Sequence, residues 1–179
     1  MFNVQSFLAN MQYDGARPNL FEVIFPALTN FGDTSLGSLR FKARATSLPS
    51  STVGITPVNY FGRQVKLAGN RVFDNWTITV MLDELDFQTG PRYAFERWSN
   101  EVNSHIGNIR VGLLNPLSYM QDAQIWQYGK EGEVIAMYNM VQCFPIDIGP
   151  VNLDWALDNQ IAEFNVTFAM QYWSSAATT

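Results

Sequence analysis

The sequence contains one cysteine, one histidine and few charges, and each scarcity excludes a class of protein. A single cysteine, Cys143, excludes an internal disulfide. A single histidine, His105, excludes metal sites built on paired His or on His and Cys ligands, such as those of zinc enzymes. No apolar run approaches the ~20 residues of a membrane-spanning helix, and the N-terminus lacks the basic start of a secretory signal. We therefore expect a protein made and kept in a cytoplasm.

The length and the composition predict a single domain with a weakly charged surface. The chain has 179 residues, of which 47% are hydrophobic and 15% charged, against roughly 25% charged residues in a typical soluble domain. Surfaces of this kind are often covered by partners. We predict one domain over residues 1–179, with a short flexible N-terminal arm at 1–15 and a C-terminal tail at 174–179.

The charges are unevenly distributed along the chain. The net charge is −5, yet residues 34–73 contain no Asp or Glu and six of the 11 basic residues. The acidic residues are concentrated after position 74. A protein with one basic and one acidic segment is suited to head-to-tail contact, in which the basic segment of one copy meets the acidic segment of the next. Alternatively, the same charges simply face water.

Alternation of apolar and polar residues predicts that most of the chain is β-sheet. The clearest segments are SLRFKARA at residues 38–45, NWTITV at 75–80 and EFNVTFAMQY at 163–172. Further strands are expected at 20–25, 64–68, 123–128, 133–143 and 151–155, for a total of about eight. One helix is expected between Pro91 and Ile106, where Phe95, Trp98 and Val102 recur at helical spacing. We predict a mainly β fold of two packed antiparallel sheets, a sandwich or partly closed barrel, with one flanking α-helix.

The sequence offers no convincing catalytic or metal site. Asp83, Glu84 and Asp86 lie close together after a predicted strand, but their spacing matches no EF-hand loop, and a solvated turn is the preferred interpretation. His105 is interpreted as a polar residue at a helix end, and Cys143 as a buried apolar side chain. The phosphate-binding patterns GxxxxGK[ST] and GxGxxG are absent. We therefore predict no enzyme activity, no metal and no cofactor.

Several longer strings resemble one family of structural proteins. They occur in order over most of the chain: ARPNLFEV from residue 16, KARATSLP from 42, GNRVFDNWTITVMLDE from 69, QYGKEGEVI from 127, FPIDIGPVNLDW from 144 and EFNVTFAMQYW from 163. In these strings the chain resembles the tail tube proteins of contractile-tailed, T-even-like bacteriophages. Tube proteins of phage-like contractile injection systems look similar.

The resemblance implies an assembly and a set of partners. Six subunits would form a ring around a channel, and the rings would stack into a tube inside a contractile sheath. The implied partners are other copies of the chain, the sheath protein, baseplate and tube-initiator proteins, a tape-measure protein in the channel, a tail terminator, and double-stranded DNA that passes without sequence-specific binding. The implied location is the virion, with assembly in the cytoplasm of the bacterial host.

Two sets of residues are candidates for these contacts. A channel for DNA should be neutral or acidic, because Lys and Arg would hold the phosphates, and we expect Asp154, Asp158 and Glu163 to face it. The basic segment is expected to contact neighbouring subunits or rings through Arg40, Lys42, Arg44, Tyr60, Phe61, Arg63, Lys66 and Arg71. Its middle, residues 47–63, has turn residues typical of a projecting loop or hairpin, which we expect to reach an acidic face of a neighbour. An ordinary surface hairpin is the alternative.

Three other functions remain open at this point. The chain could be the tube protein of a phage-like injection system, or an initiator or terminator that caps a ring, although such capping proteins often carry extra segments. An enzyme of the β-sandwich type would need a clustered site, and hydrolysis that depends on Asp83 or Asp86 would support it.

Overall fold

A computed structural model describes residues 3–11, 15–25, 35–110 and 115–178. Residues 1–2 and 12–14 of the predicted N-terminal arm lie outside the described residues, and so does Thr179 of the predicted tail. The helices are α1 (Val4–Asn10), α2 (Leu39–Lys42), α3 (Pro91–Val102) and α4 (Pro116–Tyr119). The strands are β1 (Phe21–Ile24), β2 (Ala43–Thr46), β3 (Ser51–Tyr60), β4 (Arg63–Phe73), β5 (Trp76–Met81), β6 (Gln121–Tyr128), β7 (Val134–Ile148), β8 (Glu163–Ala169) and β9 (Tyr172–Ser175).

Seven of these strands form two antiparallel layers that share β7. The first sheet contains β1, β6, the N-terminal part of β7, and β9. The second sheet contains the C-terminal part of β7, β8, β5 and β2. The remaining two strands, β3 and β4, pair only with each other and form a separate hairpin. The predicted pair of antiparallel sheets is confirmed, and within the described chain the sheets do not close into a barrel because β1 and β2 end the path.

A bend in β7 carries the chain from one sheet to the other. Gln142 has a φ of 55° in the middle of this 15-residue strand, and the pairing with β6 shifts register beside it. The Gln142 amide donates to the side-chain carboxylate of Asp122 in β6 at 2.9 Å instead of to a backbone carbonyl. Bulges of this kind bend strands and let them pass between packed sheets.

The core lies between the two sheets and is rich in aromatic side chains. Strand β5 buries Trp76, Ile78 and Val80 by strict alternation, as the sequence predicted. The Phe168 ring of β8 lies at its centre, within 5.3–6.0 Å of four other ring centroids, those of Phe25, Trp76, Phe95 and Trp98. The pair of Phe168 with Phe95 is edge-to-face and the other three pairs are tilted. Aromatic pairs at such distances stabilise a core beyond their buried area.

Helix α3 covers the core through one face. Pro91 occupies the first turn, where its missing N–H costs nothing, and Ala94, Phe95 and Trp98 are buried. The Trp98 indole donates to the Tyr119 carbonyl at 2.7 Å, so its polar atom is satisfied inside the core. The predicted flanking helix is confirmed, but it ends at Val102 and not at Ile106. Among the described helices, none has the length and the apolar composition of a membrane-spanning segment.

The strand predicted over residues 38–45 is half wrong. Leu39–Lys42 forms a helical turn, and only Ala43–Thr46 joins the second sheet. Leu39 is fully buried whereas Phe41 is 76% exposed, so the alternating apolar residues do not share one buried face. Alternation over a few residues is therefore a weak signal for a strand, because the apolar residues need not all pack on the core.

Two further strand predictions need correction. Residues 151–155 form no strand, because the pairing of β7 with β8 ends at the hydrogen bond from Gly149 to Asn165, and Pro150 has no N–H to continue it. The strand predicted over residues 163–172 is two strands. Strand β8 ends at Ala169, and β9 pairs with the N-terminal part of β7 instead of the C-terminal part. The first two residues of the predicted tail therefore belong to β9.

Candidate assembly surfaces

The hairpin of β3 and β4, Ser51–Phe73, projects from the body as an exposed arm. Nearly all the side chains of both strands are exposed. The hairpin contacts the rest of the subunit at its base, where the ring centroids of Phe73 and Trp173 lie 6.5 Å apart. A two-stranded hairpin alone in water is marginally stable. This arm, as the hairpin is called below, is therefore expected to gain stability from a partner.

One face of the arm is apolar. The register places Val58 opposite Val65, and Leu67 and Tyr60 lie on the same face, each of them exposed. At the tip, Phe61 and Gly62 both have positive φ values, 45° and 75°, which is the two-residue turn that matches the twist of paired strands. A positive φ is unfavourable for Phe. Phe61 is 89% exposed, and its ring is nearly perpendicular to that of Tyr60, with the centroids 4.6 Å apart. The tip thus presents two aromatic rings to the solvent.

The basic residues of the arm are available for contacts with other molecules. Arg71 donates to the Ser51 hydroxyl at 2.7 Å, within the arm itself. Arg63 and Lys66 are exposed and form no ion pair with any residue that the structure describes. The arm contains no Asp or Glu, so it is uniformly positive.

The other three basic candidates are paired within the chain. Arg40 donates to Glu22 at 2.6 Å, and this hydrogen bond raises the pKa of Arg40 above its usual value. Lys42 contacts Asp86 at 2.5 Å and Asp83 at 3.6 Å. Arg44 binds Glu163, which lies 119 residues away in the sequence. Substituting these residues would therefore alter contacts within the subunit as well as any contact between subunits.

The turn that carries the acidic cluster is a packed structural element. Asp86 is only 1% exposed; its carboxylate accepts from the Asp83 amide at 2.7 Å and from the Lys42 ammonium. A Cβ at Gly90 would lie 1.8 Å from this carboxylate, so the turn fits closely against the start of α3. The interpretation as a solvated turn is wrong for Asp86. Among the described residues, no three His, Cys, Asp or Glu side chains are grouped to hold a metal ion.

Breaking the pair between Lys42 and Asp86 should destabilise the subunit. The variant Lys42→Met leaves a buried carboxylate without its cation, which should lower the free energy of unfolding by about 3 kcal/mol. Urea unfolding would measure it. Arg40→Met is the matched control, because the ion pair of the exposed Arg40 with Glu22 is screened by solvent and should contribute little to stability. Equal losses in the two variants would contradict the structural role given to Asp86.

The outer face of the second sheet is polar and nearly uncharged. Thr77 and Thr167 are hydrogen-bonded at 3.1 Å, and Thr79 donates to Asn165 at 2.8 Å across β5 and β8. Glu163 stands at the end of this face, beside Arg44. Of the three predicted channel residues, only Glu163 belongs to a strand.

The other two predicted channel residues lie on the segment from Asn152 to Ala162, called the acidic loop below. Asp154 caps the loop's turn by accepting from the Ala156 amide at 2.9 Å, and Asp158 contacts Asn159. Trp155 and Leu153 on the same loop are almost completely exposed. The loop borders a cleft of about 770 Å³ that also touches Arg44 and Glu163.

Cys143 and His105 have no catalytic setting. Cys143 is fully buried, and this burial raises the pKa of its thiol to about 12. The exposed His105 places its Nδ1 3.2 Å from the Asn100 side chain. Neither residue is bonded to a nucleophile or a second base among the described residues.

The thiol of Cys143 should be unreactive in the folded subunit. Because its pKa is raised to about 12, the thiolate is scarce at pH 8, and burial also blocks access. Iodoacetamide at pH 8 should leave the native chain unmodified and alkylate it fully in urea, as mass spectrometry would show. Rapid alkylation without urea would contradict this environment.

The sequence matches the phage tail tube protein family over residues 16–176. The chain belongs to that family. It is 33% identical over 161 residues to the tail tube protein gp19 of Enterobacteria phage T4, covering 89% of this chain and 91% of the relative. As a phage tail tube protein it is a structural subunit of a contractile tail, a component of the virion and not an enzyme.

Solved structures share the fold of this tail tube protein. A chain from the sheath/tube terminator of the extracellular contractile injection system PVC matches with a TM-score of 0.64 at 13% identity, covering 90% of this chain and 96% of that one. A chain from the PVC sheath-tube complex matches with a TM-score of 0.61 at 13% identity, covering 98% of both. At these identities the likeness shows the fold alone.

Sequence reasoning missed one exposed surface of this tail tube protein. In α1 and just after it, Val4, Phe7, Leu8 and Met11 form an exposed apolar stripe. Their spacing of three and four residues is the helical signal that would have revealed it. The partners of Arg40, Lys42 and Arg44 were also missed, because a pair between residues distant in the sequence leaves no local pattern.

Proposed function

We propose that six copies of this tail tube protein form a ring, and that the rings stack into a hollow tube through which the phage genome passes. The observation that carries the proposal is the second sheet, which has a polar outer face with few charges and has unpaired edges. Strand β2 ends the described sheet at one side. At the other side, the described partners of residues 144–148 in β7 lie only in β8.

Unpaired sheet edges support closure between subunits. An exposed edge presents free N–H and C=O groups that bind another strand, and closing a sheet into a ring removes such edges. Six copies joined by the two sides of the second sheet would give a continuous sheet around a channel. This arrangement places the outer face of the sheet, with Thr77, Thr79, Asn165 and Thr167, on the channel wall.

The chemistry of that face suits the passage of DNA. Lys and Arg on a channel wall would bind phosphates through counterion release and retard the duplex. Hydroxyl and amide side chains do not, and Glu163 together with the nearby exposed Asp147 would repel it. The sequence-based proposal that Asp154, Asp158 and Glu163 face the channel is thus best supported for Glu163, although Arg44 neutralises part of its charge.

The dimensions agree with a channel for duplex DNA. A globule of this length has a radius of gyration of about 16 Å and a diameter of roughly 40 Å. Six such bodies around a centre leave a hole of about one body's width, which exceeds the roughly 20 Å of the duplex. The proposed partners are the sheath, the baseplate and initiator proteins, a tape-measure protein, a terminator and the DNA. Assembly would take place in the cytoplasm of the host bacterium.

Electron microscopy tests the proposal. The purified chain is imaged in negative stain over a range of concentrations and salt, and the mass of its smallest species is measured in parallel. We expect six-fold rings or hollow tubes with a channel wider than the duplex. Single rings that never extend would favour a terminator, and a chain that stays monomeric even on added baseplates would contradict the proposal.

A further inference from the structure

The arm and the cleft beside the acidic loop lie at opposite ends of the same sheet. The arm ends at Phe73, three residues before β5 begins at Trp76. Strand β5 then runs for six residues to Met81, which pairs with Glu163 at the rim of the cleft. At about 3.3 Å per residue, these six residues separate the base of the arm from the cleft by roughly 17 Å.

The two features are complementary in charge. The arm carries Arg63 and Lys66 without partners in the described chain. The cleft carries Asp154, whose carboxylate accepts from the backbone amide of Ala156, and Asp158 lies on the same loop. The acidic loop contains no Lys or Arg. Opposite charges at two ends of one subunit favour contact between one end and the other.

The two features also match in their apolar groups. The tip of the arm exposes Tyr60 and Phe61, and the cleft exposes Leu153, Trp155 and Ile161. Exposed apolar patches with a polar rim mark interaction sites, and Trp, Tyr and Arg dominate the binding energy of protein interfaces. Each feature therefore combines exposed apolar groups with charges opposite in sign to those of the other.

We propose that the tip of the arm of one subunit binds in the cleft beside the acidic loop of a subunit in the next ring. This inference rests on the proposed function, because it names the receiving site for ring stacking. It gives Asp154 a stacking contact in place of the channel position expected from the sequence. Since the donor and the receiver lie at opposite ends of the subunit, the contact is head-to-tail and repeats without closing, as a growing tube requires.

Disulfide cross-linking tests the contact in assembled tubes. Phe61→Cys and Trp155→Cys are combined in one chain, and preformed tubes are oxidised. We expect a ladder of covalent multimers on denaturing gels. The chain with either substitution alone should give no ladder, and the native Cys143 should add no background because it is buried. Phe61→Cys with Ile106→Cys is the matched control, since Ile106 is fully exposed in the turn after α3 and does not line the cleft.

A charge exchange gives a second readout that does not depend on oxidation. Arg63→Asp and Asp154→Arg should each reduce the yield of tubes about tenfold while leaving the subunit folded, because both side chains are exposed. The double variant should recover most of the yield. The contact is overturned if the unsubstituted chain forms tubes while the double-cysteine chain gives no ladder and the double charge variant does not recover the yield. The proposed function then still stands. If the unsubstituted chain forms no tubes even on added baseplates, the proposed function itself fails.

Discussion

Replacing residues 52–72 by Asn-Gly should yield a folded subunit that forms rings but no tubes. The change joins Ser51 to Phe73 through a two-residue turn and removes the exposed part of the arm. Most of the arm touches no core residue, so the circular dichroism spectrum and the unfolding midpoint of the body should be retained. Electron microscopy of the assembled material would count rings and tubes, and tubes should fall at least a hundredfold.

A variant on the opposite face of the arm is the control for this deletion. Asn59 and Gln64 lie opposite each other on the face that does not carry Tyr60. The variant with Asn59→Ser and Gln64→Ser keeps the arm and its apolar face, and should polymerise normally. Tubes of normal length from the shortened chain would contradict the role of the arm in stacking.

Replacing Phe168 by alanine should have the largest effect on the stability of the subunit. The ring contacts four other aromatic rings at the centre of the core and is fully buried, so its removal leaves a cavity. Truncations of this kind lower the free energy of unfolding by about 3–5 kcal/mol. Denaturant unfolding of the monomer measures the loss.

An exposed phenylalanine provides the comparison for Phe168. Phe41 is 76% exposed in α2, and Phe41→Ala should change the free energy of unfolding by less than about 0.5 kcal/mol. Similar losses for the two variants would mean that Phe168 is not at the centre of the core.

The elements that the sequence predicted correctly are those whose local pattern coincides with their burial. Strands β5 and β8 alternate residue by residue between a buried face and an outer face, and α3 repeats buried residues at helical spacing. For these elements the side-chain period alone determines the structure. A projecting loop or hairpin was expected over residues 47–63, and a hairpin is present, but it extends to Phe73. Of the predicted turn residues, Gly62 lies in the turn, whereas Gly54 and Pro57 lie within β3.

The failures occur where the structure depends on distant residues. The bend at Gln142 depends on Asp122 of the neighbouring strand, which no local pattern reveals. The helical turn of α2 depends on what covers Leu39, and the end of β7 depends on the hydrogen bond of Gly149 to Asn165. In each case a contact across the fold overrides the local alternation of residues.

The candidate assembly surfaces were predicted only in part for the same reason. The charges of the arm are visible in the sequence because Arg63, Lys66 and Arg71 lie in one segment that contains no Asp or Glu. The pairs of Arg40, Lys42 and Arg44 with carboxylates join residues 18, 44 and 119 positions apart, so the sequence could not separate these paired cations from the unpaired ones of the arm. The cleft forms from the acidic loop and the ends of β2 and β5, and it became visible only in three dimensions.

A cryo-electron microscopy reconstruction of tubes assembled from this chain would show how the subunits are arranged. We expect rings of six subunits around an open channel, lined by the outer face of the second sheet with Thr77, Thr79, Asn165 and Thr167. We also expect each arm to reach the next ring. A solid assembly without a channel, or a channel lined by the arms, would mean that the second sheet does not form the channel wall.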